Sequence, residues 1–132
     1  MFLLNLNFYN SRNIEMIIDF PAKYSHHHEV NELSRSALQM AALGSEPRLS
    51  LFRLLVVAGN QGLFTGIISE QLKIAGSTLN HHLATLETAG LIRRIREGRN
   101  IRCVVQTDEI DDLISYLTRN CCAGLDGGCE HV

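Results

Sequence analysis

The stretch NCCAGLDGGC gathers three of the chain's four cysteines, Cys121, Cys122 and Cys129, within nine residues. Thiolates are soft ligands, and a cluster of them favours soft, thiophilic ions over hard ones. Cys121 and Cys122 supply two sulfurs side by side. The intervening run from Ala123 to Gly128 carries three glycines, so Cys129 can fold back as a third ligand. Closing so small a loop adds little entropic cost. Zinc normally takes four ligands. Glu130 or His131 can complete that set, which keeps zinc, cadmium and lead open beside ions that accept three sulfurs. The same thiols are also open to oxidation, with a susceptibility that follows their pKa. Cys103 stands apart in a β-rich run between Arg102 and Val104 and reads as a structural residue.

The histidines are the other groups that could do chemistry. His26-His27-His28 lies in an Asn-rich segment without clean periodicity and is read as having no site role. His81 and His82 are adjacent in sequence. On a helix they point about 100° apart, whereas a metal wants imidazoles one turn apart. No serine, cysteine or acid is placed to form a recognisable catalytic triad. No phosphate-cradling loop surrounds a cysteine. These observations argue against an enzyme and leave binding as the expectation.

What the histidine pair can bind depends on the helix that carries it. With Leu79 at the origin of a helical wheel, Leu79, Leu83 and Leu86 cluster on one side. Ser77, His81, Ala84, Thr85 and Thr88 cluster on the other, flanked by Asn80 and Thr78, with His82 at the edge of the apolar side. The outer face is small, polar and free of acids in its first turns. Such a face can enter a major groove and offer Ser, Thr, Asn and His groups to base edges.

The surrounding chain fits that use. Its 132 residues suggest one domain with a modest core, and 45% hydrophobic with 20% charged residues is an ordinary globular mix. The longest apolar runs, such as LFRLLVVAG, are too short to cross a membrane. MFLLNLNFYNSR lacks the basic start and small-residue cleavage site of a signal peptide, so a cytoplasmic location is expected. Thiols stay reduced there, which favours metal binding or redox chemistry over a disulfide scaffold. The formal net charge of −2 does not advertise a nucleic-acid ligand, but the distribution does. Lys73, Arg93, Arg94, Arg96, Arg99 and Arg102 face only Glu87 and Glu97 within residues 73–102, and the segment that follows is acidic. Binding follows the local patch rather than the total.

Hydrophobic periodicity places the elements. NELSRSALQMAALG is a helix ended by Gly44. Ser45 or Glu46 can cap a second helix that takes Pro47 in its first turn and runs through RLSLFRLLVVAG. GNQGLF is a turn leading into a short extended piece. TGIISEQLKI, with Thr65 as its cap, and GSTLNHHLATLETAG are two helices with almost no spacer, a helix-turn-helix pattern. LIRRIRE and NIRCVVQ flank Glu97-Gly98-Arg99 as a β-hairpin. DEIDDLISYLTRN is a last amphipathic helix. The order α-α-α-α-β-β-α is that of a winged helix with an extra helix at each end, a mainly α fold of the α+β kind. The expected organisation is an N-terminal extension over 1–30, a winged helix-turn-helix DNA-binding and dimerisation domain over 31–120, and a cysteine-containing tail over 121–132.

ALGSEPRLSLFRLL, followed by STLNHHLATLETAGLIRRIREGR, resembles the ArsR/SmtB family of metal-responsive repressors over roughly residues 33–120. The resemblance implies that the second helix of the pair reads DNA, that the wing touches the backbone, and that the first and last helices form a homodimer. By position, Ser77, Thr78, Asn80, His81 and His82 fall in the recognition helix and Arg99 at the wing tip. Lys73 stands where a turn glycine is frequent. The family's usual metal positions differ here. EQLKIAGST carries no thiol, and the last helix carries no histidine. Some arsenic-responsive members have a C-terminal Cys-Cys…Cys arrangement, and this tail is similar to theirs. As(III) and Sb(III) take three sulfurs in a pyramid, which the three tail cysteines match.

The resulting expectation is a homodimeric repressor that leaves an imperfect inverted repeat of double-stranded DNA on binding As(III) or Sb(III). Its two recognition helices would sit about 34 Å apart, one DNA turn. A thiol-redox or divalent soft-metal sensor of the same fold is the alternative.

Overall fold

The computed structural model describes residues 26–121. Helix α1 spans His26–Leu43, so it begins inside the stretch set apart above as an extension. Ser36, Gln39 and Ala42, at three-residue spacing, form its buried side. The chain turns at Gly44 into α2, Glu46–Ala58, with Pro47 in the first turn. Ser45 occupies the cap position in extended conformation, but its side chain makes no capping bond. Arg48 joins the two helices instead. Its Nε donates to the Ala42 carbonyl at 2.6 Å, and its Nη2 to that of Ala41 at 3.3 Å, which the Gly44 amide shares, so Arg48 caps the end of α1.

A short 3-10 turn over Gly59–Gln61 leads to strand β1, Leu63–Phe64. Gly62 makes this connection possible. A Cβ there would lie 2.2 Å from the Cys103 carbonyl oxygen, and its φ of +64° is one that other residues rarely adopt. Helix α3 spans Thr65–Leu72 and is capped at Phe64, so Thr65 is its first helical residue rather than its cap. The turn to α4, Gly76–Thr88, passes through Lys73 in the left-handed region, at φ 52°. Lysine therefore stands where a glycine would be unstrained. Ser69 holds the turn. Its Oγ donates to the Ile74 carbonyl at 2.6 Å, and its own carbonyl accepts from the Ile74 amide at 3.2 Å.

Strands β2, Ile92–Glu97, and β3, Asn100–Val105, pair antiparallel around the Gly98-Arg99 turn, with Arg94 opposite Cys103. β1 adds to the far side of β3, giving the sheet order β1-β3-β2. The sequence pattern marks β1 only as an extended piece, because two residues carry no periodicity. Helix α5 closes the described chain at Thr107–Thr118. The molecule is mainly helical, with a three-stranded antiparallel sheet, and has the winged helix-turn-helix fold.

Leu51 and Leu55 of α2, Ile68 of α3, Leu83 and Leu86 of α4, Leu91 and Cys103 form the centre of the core, each fully buried. Every such leucine contributes on the order of 1.5–3 kcal/mol by leaving water. The core therefore sits beneath the helix pair and fixes α4 against α2 and the sheet. No helix among the described residues is long and apolar enough to cross a membrane.

Candidate nucleic-acid interface

Burial of Leu79, Leu83 and Leu86 turns the opposite side of α4 outward. Ser77, Thr78, Asn80 and His81 are exposed there, in the helix's first two turns. His82 is half-buried, and its Nδ1 is enclosed without a hydrogen-bond partner. Burial, then the nearby Arg48 and His81, hold its pKa below the ordinary value of 6.5. Desolvation and neighbouring positive charge both disfavour the charged form of the imidazole. The Thr85 hydroxyl donates back to the His81 carbonyl at 3.1 Å. Together with His81, Ala84 and Thr88, Thr85 lines a shallow groove of about 360 Å³ against Leu38, Ala41 and Ala42 of α1.

The wing arginines divide into two groups. Arg102 is tied down: its Nε donates to Glu97 at 2.7 Å and its Nη1 to the Gln61 carbonyl at 3.1 Å. Arg94 is tied to α4. Its backbone amide donates to Glu87 Oε1 at 3.1 Å, its Nε to Glu87 Oε2 at 2.7 Å, and its Nη1 to Asn80 Oδ1 at 2.8 Å. The guanidinium holds the Glu87 carboxyl below its ordinary range. Arg93, Arg96 and Arg99 are exposed and form no ion pair among the described residues. Arg99 follows Gly98, whose φ of +61° makes the wing tip. Arg96 and Arg99 thus offer unneutralised guanidinium groups on the hairpin that Arg94 ties to α4, a geometry suited to phosphates, whereas Arg93 lies on the other face of β2, against Asn60 and the start of α5.

The sequence pattern identified the polar face and the basic hairpin but not the Glu87–Arg94 clamp that joins them. Glu87 lies seven residues after Asn80, two helical turns on along the same face, and that spacing was the available signal.

Residues 43–95 match a family model described as a helix-turn-helix domain. The fold is that of known transcriptional regulators. HlyU from Vibrio cholerae N16961 is 26% identical, with a TM-score of 0.55 over 68% of this chain and 95% of HlyU. An ArsR-like transcriptional regulator from Rhodococcus sp. RHA1 is 24% identical, with a TM-score of 0.58 over 67% of this chain and 81% of its own. The transcriptional repressor BigR from Xylella fastidiosa is 19% identical, with a TM-score of 0.53 over 74% and 98%. No curated protein matches the chain.

Later in the chain, Cys121 is exposed just beyond α5. Cys122 and Cys129, the other two expected ligands, lie outside the described residues. Among the described residues, no three His, Cys, Asp or Glu side chains gather into a group that could hold a metal ion. Cys103 is enclosed in the sheet, and burial pushes its thiol up to about 11, so it stays protonated at neutral pH. The thiolate is the metal-binding form, which makes Cys103 a poor ligand.

Acidic side chains staple α5 to α1. Glu109 accepts from Arg35 Nε at 2.9 Å and from the buried Gln39 Nε2 at 2.9 Å. Arg35 also reaches Asp112 at 3.2 Å, and Arg119 donates to Glu32 at 2.8 Å. Leu33 and Met40 of α1 and Ile114 and Leu117 of α5 are each more than half exposed.

Proposed function

We propose that the protein is a cytoplasmic, homodimeric transcriptional repressor of the ArsR/SmtB kind. It binds operator DNA through α4 and the wing and leaves it when As(III) or Sb(III) binds Cys121, Cys122 and Cys129. The observation that carries the DNA half is the exposed Ser77-Thr78-Asn80-His81 face together with the unpaired Arg96 and Arg99 of the hairpin that Arg94 ties to it. Base edges specify the site and phosphates hold the register. The relatives' description as transcriptional regulators supports the same reading.

The exposed apolar side chains of α1 and α5 supply a self-complementary surface for a twofold dimer. Cys121 stands where α5 ends, so an ion held by the tail acts on the dimer surface rather than on α4 directly. Release then requires the bound ion to favour one arrangement of the two protomers over another. Oxidation of the tail thiols is the second reading. The exposure of Cys121 favours it.

A mobility-shift assay with DNA upstream of the protein's own gene tests the DNA half. His81→Ala should weaken specific binding more than non-specific binding, and Arg99→Ala should weaken both. Wild-type affinity for that DNA in both variants, with the fold intact, would contradict the assignment.

A further inference from the structure

Arginine has five N–H donors and no acceptor. The end of the Asn80 amide that Arg94 Nη1 holds at 2.8 Å must therefore be the carbonyl oxygen. Arg94 cannot swing away cheaply, because Glu87 takes its Nε, its Nη2 and its backbone amide. This chain of bonds fixes the rotation of the Asn80 amide and leaves Nδ2, with two N–H groups, as its unclaimed end on an exposed part of the helix.

An unrestrained asparagine in a major groove suits adenine, accepting from N6–H while donating to N7. Guanine instead presents two adjacent acceptors, N7 and O6, and no donor on that edge. Resting on the DNA reading above, we propose that Asn80 is a donor-only base reader, set by the Glu87–Arg94 clamp, and that it selects guanine. Arg94 is a positioning residue in this scheme, and Asn80 is the group that touches the base.

Selection of bound duplexes from a randomised library, with the full chain, tests this directly. Wild type should enrich guanine at one position of each half-site, and Asn80→Ala should lose that preference. Replacing this guanine with 7-deazaguanine, which lacks the N7 acceptor, should weaken wild-type binding about 5- to 10-fold. It should leave Asn80→Ala unaffected. Asn80→Asp, an exposed substitution that keeps the bond to Arg94, turns the outward group into an acceptor. It should change the preferred base to cytosine, whose N4 amino group donates. Arg94→Met combined with Glu87→Gln removes the clamp without leaving a lone charge, and it should admit adenine at that position.

Adenine at the wild-type position that Asn80→Ala loses would overturn the inference alone. So would a base preference that Asn80→Ala, Asn80→Asp or the clamp double variant leaves unchanged. A wild-type protein that enriches no sequence would overturn it together with the DNA reading, so the two failures are distinguishable.

Discussion

Helix α4 buries Leu79, Leu83 and Leu86 and is clamped to the wing through Glu87 and Arg94. Helix α5 buries Leu113, leaves Ile114 and Leu117 more than half exposed, and is held to α1 by charged pairs near the surface. The two helices are similar in length and differ in what holds them. Apolar burial is strong and has no competing arrangement, whereas exposed ion pairs each contribute little and can be re-formed elsewhere. In the proposed function this places rigidity where bases are read and adjustability where the ligand acts.

The largest expected effect tests the rigid side. Leu86→Ala or Leu83→Ala should destabilise the fold by about 2–5 kcal/mol, measured by urea unfolding, because each leaves a cavity at the centre of the core. Leu117→Ala should change unfolding of the protomer far less and act on self-association instead. In sedimentation, Leu117→Glu should shift the protein toward monomer, and an unaltered dimer would remove α5 from the interface. The next effect tests the staples. Glu109→Ala leaves the buried Gln39 amide without its acceptor and Arg35 with only Asp112. A loss of about 1–3 kcal/mol is expected, most of it from Gln39 because Arg35 is exposed. A variant as stable as wild type would show that the network carries no weight.

Two smaller effects sharpen the contrast. His82 has a lowered pKa in the fold, so below the ordinary value of 6.5 the unfolded chain binds more protons than the folded one. The His82 contribution is therefore intact above 6.5 and is lost as the pH falls toward the lowered folded value. His82→Gln should flatten this part of the stability–pH curve, and a curve of unchanged slope would rule out the lowered His82 pKa. Lys73→Gly removes a left-handed lysine at the helix-pair turn and should raise stability by about 1 kcal/mol at most.

The helix pair and wing were legible because their signals are periodic and repeated: three leucines on one face of α4, two β-rich runs around Gly98, and Gly44 and Pro47 at a helix junction. β1 was not legible as a strand, since its pairing with β3 depends on Gly62 lying against the Cys103 carbonyl, a contact 41 residues away. The Thr65 cap failed for a similar reason. Packing placed Phe64 in the sheet and started the helix one residue earlier than the side-chain preference alone suggests. Lys73 shows the converse, a departure visible in the sequence whose left-handed backbone the structure reveals. The Arg35–Glu109–Gln39 network joins residues from separate elements, so no local pattern could announce it; of the Glu87–Arg94–Asn80 network only the Asn80–Glu87 spacing on α4 was visible, not the arginine that the wing supplies.

The most direct test of the proposed function is a fluorescence-anisotropy titration of operator-bound protein with arsenite, run beside antimonite, zinc, cadmium and peroxide. Wild type should lose operator affinity by about 5- to 150-fold, the usual range of coupling between two sites. Cys103→Ser should respond like wild type. The Cys121→Ser/Cys122→Ser double variant should bind the operator normally and stay bound. Release of that double variant at the same arsenite concentration as wild type would contradict the account.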